Sequence, residues 1–375
     1  MLKISIITPT YFSHFKFISK YLESFNRYVL DKASVSIYFT IERKEGAAFQ
    51  KILKPYLNQL DIHILYFEDI LGEFGIHSSS NELLKKYGKF SFQTLKKYYT
   101  MLYVDAERML VLDSESMWIC ETNMSELFYD FFRNSFLAGS ILDSQHLGDI
   151  KRAVTKNVSY LLNYNIDHWF IETFCWFYEK HILQDMFLEL GTPLELVNRV
   201  YEHAKTEDDV NAGVFEIILY QAYLYMNREK YGYKWIDVNH ECEKYLGSYD
   251  FLRYKEAYLK IYEGECGLLE KVSSLVDDRN TKQLARLCCD NRFNIIRCEY
   301  DFHPTSAQRY FMETVHPNIL ASSQNHIYGV NNVPWYRITK EGKWLLNKLL
   351  YSLNPNLKRR IYRSLKKLSL LSFLS

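Results

Sequence analysis

The stretch YVDAERMLVLDSES, residues 103–116, decides the fold. A helical run ends in the charged turn 105–108; Met109, Leu110, Val111 and Leu112 follow, and then Asp113, Ser114, Glu115 and Ser116 arrive together. An apolar run that short, bounded by charge, predicts a strand buried on both faces. Acids just past the C-terminal end of such a strand fall at the edge where open α/β sheets take their ligands. Asp113 and Glu115 are two residues apart, so in extended chain both point the same way. Two hard oxygen ligands on one side suit Mg2+ or Mn2+. Alone, the stretch reads equally as a strand closed by a solvated turn, because Asp and Ser are ordinary turn residues. The neighbouring chain shifts the balance.

Upstream, residues 4–7 form a β-rich run closed by Thr8, Pro9 and Thr10, where the proline ends strand pairing and the threonines offer hydroxyls. Phe15, Ile18, Leu22 and Phe25 recur at helical spacing. Val35, Ile37, Phe39 and Ile41 alternate, marking a second strand that ends at Glu42. Phe49, Ile52, Leu53, Tyr56, Leu57 and Leu60 make a helical stripe, and residues 62–67 a third strand. This β-α-β-α-β order opens a doubly wound nucleotide-binding sheet. No GxGxxG follows the first strand and no GxxxxGK[ST] occurs, which disfavours a dinucleotide fold and a P-loop NTPase. After the polar loop GEFGIHSSS, residues 72–80, a helix carries Gln93, Lys96 and Lys97, with Leu95, Tyr98, Tyr99 and Leu102 on its apolar face.

Downstream, residues 136–139 predict another short strand, leading towards Asp143. Residues 151–190 read as mostly helical and aromatic, with Trp169 and Glu172 among them. Thr206, Glu207, Asp208 and Asp209 make a helix start, an N-cap hydroxyl with acids in the first turn, and the helix is expected to run on through 214–225. Glu216 lies inside that apolar and aromatic run. Residues 234–238 read as a strand, 254–290 as helical and more charged, and 292–300 as a further strand.

Net charge is +1, so nothing global favours a nucleic-acid partner. Seven cysteines, an odd number without a CxxC pair, argue against a disulfide framework or zinc knuckle and for a reducing cytosol. The opening MLKISIITPTYF has too short an apolar run for a signal peptide, and no uninterrupted apolar stretch approaches the roughly 20 residues that span a bilayer. Towards the end, Lys358, Arg359, Arg360, Arg363, Lys366 and Lys367 interleave with Leu357, Ile361, Tyr362, Leu365 and Leu368. A basic amphipathic helix of this kind reads as an element for an anionic membrane surface, each cation there contributing about 1 kcal/mol. The alternative is a solvated or partner-docking helix.

With these residues laid out, residues 1–245 resemble the bacterial GT-A-type glycosyltransferases. The resemblance is carried by ISIITPTY at 4–11, FQTLKKYYTMLYVDAERMLVLDSES at 92–116 and VFEIILYQAYLY at 214–225. It implies an α/β fold, a GT-A-like, Rossmann-type mixed sheet flanked by helices, here with a mainly helical C-terminal extension. It implies a nucleotide-sugar donor, a glycan or lipid-linked glycan acceptor such as a surface polysaccharide or lipopolysaccharide, and Mn2+ or Mg2+ held on the donor's diphosphate. Asp113 and Glu115 stand where such enzymes carry their DxD motif, with Glu115 where Asp is commoner. A C-terminal histidine often joins these acids, and His303 is the candidate, with His326 as substitute. Thr8, Thr10, Tyr11 and Glu42 would hold the base and ribose, and Gln93 and Lys97 would reach the diphosphate or donor sugar.

An inverting reaction needs a carboxylate base near the acceptor hydroxyl. Glu216 is chosen because apolar surroundings raise a carboxyl pKa, with Asp143, Asp209 and Glu172 as fallbacks. Trp169 can stack on a sugar ring or serve the core. The chain is thus divided into a catalytic domain, 1–245, a helical acceptor region, 246–340, and the basic tail, 341–375. The expected place is the cytoplasm, peripheral to the inner face of the cytoplasmic membrane. The rivals are a sugar nucleotidyltransferase, disfavoured because TPTYFSH lacks a Gly-rich basic loop, and a non-catalytic membrane-docked scaffold.

Overall fold

A computed structural model describes residues 4–118, 121–133, 135–141, 149–170, 176–206, 213–237, 268–271 and 295–297. The N-terminal half runs β1 (Ile4–Pro9), α1 (Phe15–Tyr28), β2 (Val35–Ile41), α2 (Gly46–Leu53), β3 (Asp61–Tyr66), α3 (Phe67–Glu73), α4 (Ser80–Tyr103) and β4 (Arg108–Val111). Then come β5 (Ser116–Trp118), α5 (Met124–Arg133), β6 (Phe136–Ile141), α6 (Asp149–Leu162), β7 (His168–Phe170), β8 (Phe177–Glu179), α7 (Lys180–Leu190) and α8 (Pro193–Thr206). The described residues end with α9 (Glu216–Met226), α10 (Arg228–Tyr231), β9 (Lys234–Asp237), β10 (Leu268–Lys271) and β11 (Ile295–Arg297).

The main sheet has the order β3-β2-β1-β4-β8. Its first four strands are parallel and β8 runs antiparallel to β4, so this is the mixed sheet expected. Side chains on both faces of β1, β2 and β4 are buried, as the near-continuous apolar runs require. Each large apolar side chain removed from water contributes about 1.5–3 kcal/mol. Two smaller sheets flank this one, β7-β6-β9 and β10-β11-β5.

From β1 the chain steps outward to β2 and β3, then returns to place β4 on the other side of β1. The order therefore reverses between β1 and β4, the point where open α/β sheets form a crevice beyond their C-terminal ends. The loop after β1 begins at Thr10 and the loop after β4 at Leu112. At the root of the second loop the pairing with β1 continues, Leu112 N donating to the Ile7 carbonyl at 2.9 Å.

Helix α4 delivers side chains to both loops. Its first turn is closed by a capping box, Glu82 N donating to Ser79 Oγ at 3.3 Å and Ser79 N to Glu82 Oε2 at 2.8 Å. Gly88, at φ 78°, breaks the helix. Beyond it, Thr94 to Met101 are all buried, because this half packs against β1, α3, α7, α8 and α9. A helix buried all round cannot put its charges in water.

Several expectations are corrected. Asp113 to Ser116 is a tight turn, closed by Ser116 N donating to the Asp113 carbonyl at 3.0 Å, so strand alternation does not set where the two acids point. The strand β5 follows at once. The span 151–190 is mostly helical as expected, through α6 and α7, but β7 and β8 also lie within it; at three residues each they are too short to show a period. Thr206 ends α8 instead of opening the next helix, and α9 begins at Glu216 itself. The stripe expected to run to Leu60 stays an α-helix only to Leu53. Residues 268–271, expected in a helical region, are strand β10, which pairs with β11. The strand expected in 292–300 is β11. Apart from β10 and β11, the regions 246–340 and 341–375, with His303, His326 and the basic tail, lie outside the described residues, as do Asp143, Glu172 and Asp209. No helix among the described residues is long and apolar enough to cross a membrane.

Candidate active site

On one side of the crevice Lys97 stands between two acids. Its Nζ lies 2.6 Å from Glu216 Oε1 and 3.4 Å from Asp113 Oδ1. Glu216 is 2% exposed, and its other oxygen, Oε2, lies 3.1 Å from Thr94 Oγ1. The same ammonium sits 4.3 Å from the ring centroid of Trp176, a cation–π contact. The backbone carbonyl of Trp176 accepts from Val111 N at 2.9 Å, which fixes the indole's chain beside the end of β4. The Asp113 side chain keeps 28% of its surface, more than the 10% of Lys97 or the 3% of Glu216. Asp113 is therefore the member of this group that meets the crevice.

The start of α9 is held by its backbone. Thr94 Oγ1 donates to the Val214 carbonyl at 2.6 Å, Tyr98 OH to the Glu216 carbonyl at 2.7 Å and Asn157 Nδ2 to the Gly213 carbonyl at 2.8 Å. Gly213 has φ 66°, and a Cβ there would lie 2.4 Å from Ser91 Oγ, so any side chain at this position is strained. Glu216 sits in the first turn of α9, where the helix dipole favours an anion. Tyr98's phenol is pushed well above its usual pKa, first by burial and then by Glu216 beside it, so it remains a donor.

The rest of the acid turn belongs to a second group. His14 Nδ1 is 3.2 Å from Glu115 Oε1 and 3.2 Å from Ser114 Oγ, and His14 Nε2 is 2.5 Å from Tyr11 OH. Ser114 Oγ also donates to Glu115 Oε2 at 3.2 Å, and Lys89 Nζ to Tyr11 OH at 3.2 Å. The acid turn after β4 is thereby tied to the loop after β1, and the rings of Tyr11 and His14 lie 4.2 Å apart.

The residues expected to bind a donor are distributed as follows. Tyr11, Lys97, Asp113 and Glu115 come together at the crevice. Thr8 is wholly buried and its hydroxyl bonds Tyr21 OH at 3.0 Å, so it serves the core. Thr10 is 1% exposed; its hydroxyl has no partner among the described residues, while its carbonyl accepts from Lys96 Nζ at 2.7 Å. Glu42, at the end of β2, is paired with Lys44 at 2.6 Å. Gln93 is half-buried within α4. Trp169 is buried, with Lys151 5.0 Å from its ring centroid.

Four contributors escaped the sequence reading: His14, Ser114, Thr94 and Trp176. Thr94 stands three residues before Lys97, so helical spacing places it on the same face. His14 and Trp176 carry no local signal, because each is brought to the crevice by strand pairing. The oxygen donors of Asp113 and Glu115 suit a hard divalent ion, which takes one or two carboxylates and completes its shell with phosphate oxygens and water. Among the described residues no group of three or more Asp, Glu, His or Cys side chains is arranged to hold a metal ion.

No protein-family model and no curated protein matches the chain. Among solved structures it is similar to mouse xyloside xylosyltransferase 1 in its apo form, 11% identical, over 78% of this chain and 97% of that one, with TM-score 0.39. It is similar to residues 1–349 of S. aureus TarS, 15% identical over 77% and 70%, with TM-score 0.32. It is also similar to the glycosyltransferase GlyE of Streptococcus pneumoniae TIGR4, 11% identical over 86% and 63%, with TM-score 0.37. Overlap of that extent says nothing of substrate or chemistry, so the site's own residues have to carry the functional reading.

Proposed function

We propose that the chain is a glycosyltransferase that moves a sugar from a nucleotide-sugar donor to a glycan acceptor. The single observation that carries the reading is the pairing of Lys97 with Asp113, in the acid turn that also carries Glu115, at the β1/β4 reversal, the position where such sheets take nucleotides. A departing nucleoside diphosphate needs its charge neutralised, and preorganised charges are the usual means. In this reading Lys97 supplies a cation that Glu216, Thr94 and Trp176 hold in place. Tyr11, braced by His14 and Lys89, offers a ring and a hydroxyl at the end of β1 for the nucleoside. Asp113 and Glu115 would hold Mn2+ or Mg2+, which when bound supplies Lewis-acid stabilisation of the diphosphate. His14 and Ser114 orient Glu115.

A lipid-linked surface polysaccharide or lipopolysaccharide is the acceptor class proposed, with the basic tail at 341–375 recruiting the protein to the cytoplasmic face of an anionic membrane. The test is a thermal-shift screen of nucleoside diphosphates and nucleotide-sugars with and without Mn2+. A ligand that binds only the folded state raises Tm, by mass action. A hit is expected that needs Mn2+ and is lost in Asp113→Asn. A full screen without a hit, or a hit untouched by Asp113→Asn, overturns the reading and leaves the non-catalytic scaffold.

A further inference from the structure

We propose that Glu216 is a positioning residue: through Lys97 it sets the ammonium facing Asp113, and thereby the grip on the donor's diphosphate. The last step rests on the proposed function; the positioning itself rests on geometry. Lysine carries its charge on a flexible four-carbon stem, so something other than its own rotamers must fix it. Of its two acids, Glu216 is the nearer, at 2.6 Å against 3.4 Å, and the more buried, with 3% of its side chain exposed against 28% for Asp113. A close, dry ion pair outweighs a longer, wetter one. The ammonium is thus set by Glu216 and offered to Asp113.

The carboxylate is not needed to fasten α9. Tyr98, Thr94 and Asn157 already bond the carbonyls of Glu216, Val214 and Gly213. A buried carboxylate that adds nothing to that anchorage carries a desolvation penalty, so its contribution lies in what it holds. One of its oxygens accepts from Lys97, the other lies 3.1 Å from Thr94 Oγ1, and it is 2% exposed. That arrangement suits an anchor better than a base, which has to meet an acceptor hydroxyl at hydrogen-bond distance.

The functional test is a cycle of Glu216→Gln, Lys97→Gln and the double variant, titrated calorimetrically with UDP, GDP, CDP and ADP in Mn2+. For whichever diphosphate the unaltered protein binds, Glu216→Gln is expected to weaken binding about tenfold, and the double variant no more than Lys97→Gln alone. Losses that multiply, or unchanged binding in Glu216→Gln with turnover abolished, would mean that Glu216 acts on the reaction directly, and the inference fails. The double variant leaves no lone buried charge, so it provides a folded comparison with Glu216→Gln if Lys97→Gln does not fold. A crystal structure of Glu216→Gln decides the positioning without any nucleotide. The Lys97 ammonium is expected to have moved onto Asp113, and an unmoved ammonium overturns the inference. Should the unaltered protein bind none of the four diphosphates, the donor reading falls while that crystallographic result still stands.

Discussion

Lys96 and Lys97 are neighbours on α4 and both are buried, yet they serve opposite walls of the crevice. Successive residues leave a helix about 100° apart, so one side chain reaches the loop after β1 and the other the loop after β4. Lys97 meets two carboxylates. Among the described residues Lys96 meets only a carbonyl, that of Thr10, with Glu45, Glu42 and Glu68 acting on it from further off. Burial dominates there and lowers the Lys96 pKa from 10.5 to about 8, against the pull of those acids. The contrast shows that burying a cation does not have one effect. Beside an anion it makes a tight pair whose loss is severe; against a carbonyl it makes a standing penalty.

The largest effect should come from breaking the paired wall. Lys97→Met strands the Glu216 carboxylate in the interior, and loss of about 3–5 kcal/mol is expected in urea unfolding. A loss under about 1 kcal/mol would remove the contrast between the two lysines. Adding Glu216→Leu to Lys97→Met should recover most of that loss, to within about 2 kcal/mol of the original chain, since an apolar pair can replace a buried ion pair. Continued instability of the double variant would trace the damage to packing, not to the lone charge.

On the other wall the sign reverses. Between pH 8 and 10.5 the unfolded chain holds more of the Lys96 proton than the folded one, so stability gains from this residue as pH rises through that window. Below pH 8 the penalty is full. Lys96→Met is therefore expected to stabilise by about 1–2 kcal/mol at pH 7, the penalty removed less the bond to Thr10, and the gain should vanish above pH 10.5. Unfolding titrations at the two pH values check it, and a destabilised variant at pH 7 would show that the carbonyl bond dominates. The smallest effect belongs to Tyr98→Phe, which removes the hydroxyl bonded to the Glu216 carbonyl and should destabilise by about 1 kcal/mol without altering diphosphate binding.

Much of this scaffold was legible in the order of residues. Ile4 to Ile7, the alternation from Val35 to Ile41 and the run Met109 to Leu112 pointed to three adjacent parallel strands, because a strand buried on both faces has little choice but continuous apolar sequence. Asp113 beyond the end of β4, Lys97 on the preceding helix and Glu216 within an apolar run were singled out from type and place. What could not be read was burial of charge. KK in a helix reads as a wet face, and only the packing of α4 against α7, α8 and α9 closes it. Contacts across long sequence separation were equally hidden, as with His14 and Ser114, which lie 100 residues apart. The edge strand β8 was missed because three residues show no period; its place comes from pairing with β4.

The rung between Leu112 and Ile7 couples the crevice mechanically. Neither rim can be displaced at its base without dragging the other, so the tyrosine-bearing lip and the acid-bearing lip behave as one jaw set at a fixed gape. Whatever enters is met by a mouth already formed, its lips clasped again further out by His14 against Ser114 and Glu115.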